Sequence, residues 1–257
     1  MPAVTLSRSA VADDIAFSGG FQKSLTATDP FTITGYYRIR KAGDPLHVYI
    51  EGDGLAWMSK MQLSDDPTPL NPIMLRLAAL DPSPNVVYLA RPCQYSRDPA
   101  CDYPYWSGKR FSEPVIHSMD EAVGDYARRS GAKEIHLIGY SGGAAVAVLI
   151  ADRRTDIASI RTIAGDLDPH GLNRYHKVSP LIGSLDPMDV ASRISRVPQR
   201  HFIGRNDKRV PSFIVKDYII ASETKGCIQV TEVRDADHVN GWTEEWPRLL
   251  ALPVECG

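Results

Sequence analysis

Glu134–Arg153 reads EIHLIGYSGGAAVAVLIADR, and the fold follows from how it is parsed. Ile135-His136-Leu137-Ile138 is an apolar run short enough to be a buried strand. Ala144 to Ala151 is a run of small and aliphatic residues suited to a helix lying close on a sheet. Between them, Gly139-Tyr140-Ser141-Gly142-Gly143 has the form G-x-S-x-G. Where that form joins a strand to a helix, the serine sits on a sharp turn. The flanking glycines are needed because side chains there would meet neighbouring backbone. Such a turn lifts the Ser141 hydroxyl above the sheet edge and aims the first N–H groups of the helix at whatever the serine attacks.

Outward from this stretch, apolar runs alternate with helical stripes. Phe31 to Ile39 is β-branched and aromatic and reads as a strand, and Leu46 to Ile50 is a second that runs into Glu51-Gly52-Asp53-Gly54. Leu70, Ile73, Met74, Leu77 and Leu80 mark an amphipathic helix, followed by a strand at Asn85 to Ala90. Val115, Ile116, Met119, Ala122, Val123 and Tyr126 form another helical stripe, closed by Ser130-Gly131. Beyond the central stretch, strands are expected at Ile157–Ile163, Arg200–Gly204 and Cys227–Arg234, with helices at Ser212–Ser222 and around Trp242–Leu252. Residues 1–28 are small and polar and are expected to form an N-terminal arm or helix on the body. Gly165–Pro187 is too long for a simple connection and reads as a cap or substrate loop. The alternation predicts an α/β protein, a mostly parallel sheet with helices on both faces, in one domain over residues 1–257.

Of the 257 residues 43% are hydrophobic and 23% charged, a globular composition, and 29 basic against 31 acidic residues give a net charge of −2. That balance argues against a protein that holds nucleic acid by neutralising phosphates. No apolar run approaches the roughly 20 residues needed to span a bilayer. The first twenty residues lack a basic region followed by an apolar one, so they do not read as a signal peptide. Four cysteines suggest two local bridges, Cys93–Cys101 and Cys227–Cys256. The alternative is four unpaired thiols. Paired, they imply an oxidising compartment, hence a periplasmic, secreted or lipid-anchored protein whose export signal lies outside this sequence. None of the spacings makes a C-x-x-C metal knuckle, so no metal is expected.

With strand, G-x-S-x-G and helix in this order, the sequence resembles the α/β-hydrolases. In that family the nucleophilic serine is followed along the chain by an acid and then a histidine. Phe202-Ile203-Gly204-Arg205-Asn206-Asp207, leading to Val210-Pro211, looks like the family's acid loop and implies Asp207 as the acid; Asp166 and Asp168 are the alternatives. The base is implied in a loop after the last strand, where His238 stands. The other histidines are less well placed. His47 and His136 fall in strands, His117 and His201 at element ends on the surface, and His170 and His176 in the long loop ahead of the acid.

The resemblance also implies two backbone donors for an oxyanion. One is the N–H of Gly142, and the other lies in Glu51-Gly52-Asp53-Gly54, at Asp53 or Gly54. The family often has His-Gly-x-Gly here, and this chain carries Glu51 in place of the histidine. An aspartate side chain beside an oxyanion is unhelpful, so Asp53 is expected to point away, and Glu51 to steady the loop through hydrogen bonds. Arg91-Pro92-Cys93-Gln94-Tyr95 with Cys101 and Trp106, and Val178 to Leu185, are similar to a group of bacterial exported α/β-hydrolases. The resemblance implies an esterase-like enzyme acting on a small-molecule acyl ester, with no cofactor. Tyr140, Leu55, Trp57 and Tyr175 are the apolar candidates for substrate contact. A thioesterase or exopeptidase with the same triad, or a non-catalytic binding protein on the same fold, are the alternatives.

Overall fold

The computed structural model describes residues 7–59, 61–223 and 226–257. Ten strands form among the described residues: β1 (Gln22–Ala27), β2 (Thr32–Ile39), β3 (Leu46–Ile50), β4 (Trp57–Ser59), β5 (Gln62–Leu63), β6 (Asn85–Leu89), β7 (Ile135–Tyr140), β8 (Ile157–Ile163), β9 (Gln199–Gly204) and β10 (Ile228–Val233). The helices are α1 (Arg8–Ser18), α2 (Ile73–Ala79), α3 (Glu113–Ser130), α4 (Gly142–Ala151), α5 (Pro169–His176), α6 (Phe213–Ala221) and α7 (Trp242–Leu250). Eight strands make one sheet in the order β1-β2-β6-β3-β7-β8-β9-β10, and β4 and β5 pair as a separate hairpin. The run from β6 to β10 is parallel, while β1 and β2 join it antiparallel. This is the mostly parallel, helix-covered sheet that the alternation of runs predicts.

Successive side chains of a strand point to opposite faces, and β3 shows what that does here. Leu46, Val48 and Ile50 pack with α3, α4 and α6, while Tyr49 faces the cluster formed with α1, α2 and α7. Helix α4 is buried over its whole length, so its Gly and Ala residues let it lie close on the sheet. Helix α3 ends where Gly131 takes a left-handed conformation at φ 66, as Ser130-Gly131 suggests. No helix among the described residues is long and apolar enough to cross a membrane.

Several elements differ from the sequence expectation. Within residues 1–28, positions 1–6 lie outside the described residues; the remainder holds α1 and also β1, which was not foreseen. Most β1 side chains are exposed on an edge strand, so no apolar alternation marks it. Gly165–Pro187 is not all loop, because Asp168 caps α5 by accepting a hydrogen bond from the Gly171 N–H at 2.7 Å. His201 is a correction: it is fully buried inside β9, with Nδ1 2.8 Å from the Thr162 hydroxyl. A histidine in a parallel strand covered on both faces is taken inward by the pleat. His47 and His136 are satisfied within the sheet, by Asp81 at 2.6 Å and the Ser159 hydroxyl at 2.7 Å.

Both disulfides are formed as paired in the sequence reading, Cys93–Cys101 and Cys227–Cys256, with Cα atoms 5.5 and 4.0 Å apart.

Candidate active site

Strand β7 delivers Ser141 to the rim of the sheet at φ 51 and ψ −122, a conformation rare for a residue with a side chain. Close packing holds it there. A Cβ on Gly139 would run into Gly143 and Ala144, and one on Gly143 into the carbonyl oxygens of Ile50 and Glu51. The Ser141 N–H donates to Ile163 O at 3.0 Å, and the Asp166 N–H to Ser141 O at 3.0 Å. The strained turn is thus tied to the end of β8 and to the loop that follows it.

Asp207 follows β9 and His238 follows β10. The Asp207 carboxylate is buried; Oδ1 accepts the N–H groups of Arg209 and Val210 at 2.8 and 2.9 Å, and Oδ2 lies 2.9 Å from His238 Nδ1. His238 Nε2 lies 3.2 Å from Ser141 Oγ. The two ring nitrogens therefore face an acid and a hydroxyl, the arrangement in which a carboxylate fixes the tautomer and the other nitrogen takes a proton. The backbone of His238 is held as well. Tyr140 OH donates to His238 O at 2.8 Å, and Trp242 Nε1 donates to Asp237 O at 2.9 Å. Asp237 Oδ1 accepts the N–H groups of Val239 and Asn240, both at 2.7 Å.

The loop after β3 lies against this turn. Among the described residues the N–H groups of Gly142, Asp53 and Gly54 have no hydrogen-bond partner. Glu51 is completely buried beneath the loop; Oε1 accepts the Gly52 N–H at 2.9 Å and Oε2 the Tyr88 hydroxyl at 3.2 Å. Burial pushes its carboxyl up to about 7. Gln94 reaches in from the cysteine-bracketed loop and donates to Gly52 O at 3.0 Å. Asp53 departs from expectation. Its carboxylate does not turn away but lies against the Cα of Gly142, where any Cβ would collide with it. Two guanidiniums hold it there: Arg91 Nη1 at 3.3 Å from Oδ1 and Arg110 Nε at 3.1 Å from Oδ2. Arg110 also reaches Asp166, with Nη2 3.3 Å from Oδ2. Burial pushes the Asp166 carboxyl up to about 7 against the pull of Arg110.

Of the apolar candidates, Tyr140 is buried with its hydroxyl committed to His238 O, so it supports the base loop. Leu55 is half-buried and its N–H donates to Pro67 O at 3.0 Å. Trp57 is exposed on β4, and Tyr175 is exposed on α5 with its ring 5.5 Å from that of Phe213. Asp168, an alternative acid, is spent as the α5 cap, and Asp166 is turned to Arg110. The residues that sequence reasoning missed are Arg110 and Asp166 as partners of the Asp53 loop. No motif or spacing links them; the sheet brings them together. A cavity of about 810 Å³ lies elsewhere, between Ser7–Ser9, residues 65–70 and the 93–106 loop, and no triad residue lines it. No cluster of three or more potential metal ligands occurs among the described residues.

No family model and no curated relative matches the chain. Solved structures do. An esterase from Pyrococcus furiosus shares 14% identity over 90% of this chain and 89% of its own, with a TM-score of 0.62. An alpha-beta serine hydrolase homologue from Coxiella burnetii shares 14% over 89% and 93%, with a TM-score of 0.59. An acylaminoacyl peptidase from Pyrococcus horikoshii shares 12% over 89% of this chain and 39% of its own, at a TM-score of 0.63. The protein has the α/β-hydrolase fold, and its Ser141, His238 and Asp207 are joined as a Ser-His-Asp triad on it.

Proposed function

We propose that the protein is a serine hydrolase that cleaves carboxylic esters of small molecules through an acyl-enzyme on Ser141. One observation carries the reading. Ser141 Oγ, on a strained elbow, lies 3.2 Å from a histidine whose other nitrogen is 2.9 Å from a buried carboxylate. Ser141 Oγ attacks the acyl carbon and its proton passes to His238 Nε2, while Asp207 stabilises the imidazolium. The carbonyl oxygen gathers negative charge and takes the N–H of Gly142 and that of Asp53 or Gly54 as donors. As the ester bond breaks, His238 returns the proton to the leaving alkoxide. Water then attacks the acyl-enzyme, with His238 taking and returning a second proton, and the carboxylic acid leaves. No step calls for a metal or organic cofactor. The long 165–187 segment is the proposed wall of the acyl pocket. The two bridges favour an exported protein.

A fluorophosphonate probe tests the reading directly. Stoichiometric labelling that disappears in Ser141→Ala, with turnover of p-nitrophenyl acetate lost in parallel, is expected. A folded wild-type chain that neither labels nor turns over would overturn the mechanism. Thioester and peptide substrates run beside the ester decide which acyl leaving group is preferred.

A further inference from the structure

A carboxylate is the wrong group to place beside an oxyanion, yet Asp53 is packed on the Cα of Gly142, whose N–H is the first donor. Two like charges about 6 Å apart at an effective dielectric near 20 repel enough to slow a step on the order of tenfold to a hundredfold. The surroundings of Asp53 answer that repulsion. Arg91 is buried and Arg110 largely so, and each has a nitrogen within 3.3 Å of the carboxylate. Arg91 also donates from Nη2 to Arg110 O, so the two are linked through main chain. The Phe111 ring lies against both guanidiniums, at 5.4 and 5.0 Å, which fixes their planes.

The cluster is not a ligand site. The void between Asp53, Arg91, Gln94 and Arg110 is about 10 Å³, room for one water at most. Its connections run to the chemistry instead. Arg110 joins Asp53, on the oxyanion loop, to Asp166, whose N–H donates to Ser141 O at 3.0 Å.

We propose that Arg110, backed by Arg91, is a positioning residue that neutralises Asp53 and so keeps the turn at Gly142 fit to hold a negative oxygen. The proposal rests on the reading of Ser141 as nucleophile and of the Gly142 and Asp53 N–H groups as its oxyanion donors. A purely structural arginine and a charge-compensating one differ in how they couple to Asp53.

The test is a double-mutant cycle on the full chain, read as the acylation rate with p-nitrophenyl acetate and with the fluorophosphonate, folding being checked by circular dichroism. Arg110→Gln keeps a polar amide on a shorter stem but removes the charge. It is expected to slow acylation about tenfold or more, in kcat rather than KM. In the Asp53→Asn background the same Arg110→Gln change is expected to cost about threefold or less, and Arg110→Lys to restore most of the rate. Equal losses in both backgrounds, or no loss in either, overturn the proposal. If Arg110→Gln does not fold, the same cycle on Arg91→Gln decides between these results. A wild-type chain that does not acylate overturns the proposed function and this proposal together. A reactive wild type with equal losses overturns this proposal alone.

Discussion

Glu51 is a carboxyl enclosed beneath the loop after β3. It is fully buried, and the Gly52 N–H, the Tyr88 hydroxyl and the backbone of Met74 offset only part of the loss of water. Its carboxyl is pushed from 4.5 to about 7 by burial, so the folded chain holds a proton that the unfolded chain has already released. A raised carboxyl of this kind contributes most at low pH, and its contribution drains away as pH climbs from the unfolded value to the folded one. Glu51→Gln removes that dependence while keeping an oxygen for the Gly52 N–H. Thermal or urea unfolding should therefore show the variant gaining on wild type by roughly 3 kcal/mol between about pH 4.5 and pH 7. Parallel stability curves would show that Glu51 is not protonated in the fold. Tyr140 shows how context redirects a residue. Within G-x-S-x-G its aromatic ring suggests a pocket wall, but the pleat of β7 turns it to the opposite cluster, under the His238 loop.

At the scale of the element, the 93–101 loop steadies the site without lining the triad. Cys93 and Tyr95 both have positive φ, at 70 and 59, and between them Gln94 is presented like a peg. Its amide spans two loops, accepting the Arg91 N–H at 3.0 Å and donating to Gly52 O at 3.0 Å. The bridge closes this loop over a separation of 8 residues. A paired Cys93→Ser, Cys101→Ser variant should lose about 2–3 kcal/mol of stability by chain entropy. With Gln94 loosened it should also acylate several-fold more slowly at a temperature where it is still folded. The paired Cys227→Ser, Cys256→Ser variant, whose loop is longer, should lose about 3–4 kcal/mol with a smaller loss of rate per folded molecule. If the two variants rank the other way in rate, the peg is not what holds the oxyanion loop.

For the whole molecule, the parallel part of the sheet explains why these residues meet. Asp53 follows β3, Arg91 follows β6, Ser141 follows β7, Asp166 follows β8, Asp207 follows β9 and His238 follows β10. All lie beyond the carboxyl ends of parallel strands, where open α/β sheets gather their sites. This separates what could be read in the sequence from what could not. Strand β7, the turn and α4 are written locally, in period and glycine placement, whereas Asp207 and His238 were found through the resemblance to the α/β-hydrolases and its order of acid and histidine. Strand β1 carried no such signal, because an exposed edge strand needs no apolar alternation. Arg110 and Asp166 were silent for another reason. Their partnership with Asp53 depends on strand order, β6-β3-β7-β8, which no local pattern in the chain states.

The second bridge makes residues 227–256 a covalent ring, and His238 is inside it. Strand β10, His238 and the α7 tryptophans all lie between Cys227 and Cys256. Trp242 and Trp246 are fully buried, so the ring is also plugged into the body. A peptide cut within the ring does not release its far half. Limited trypsin at the exposed Arg234 should give a chain that runs as two pieces only after reduction, and that keeps its reaction with the fluorophosphonate until a thiol is added. Labelling that falls in step with nicking, before any thiol, would show the ring to be no safeguard. Labelling kept until reduction would mean that a cut beside His238 opens a ring and not a chain, so that losing the site would take a broken backbone together with a broken bridge.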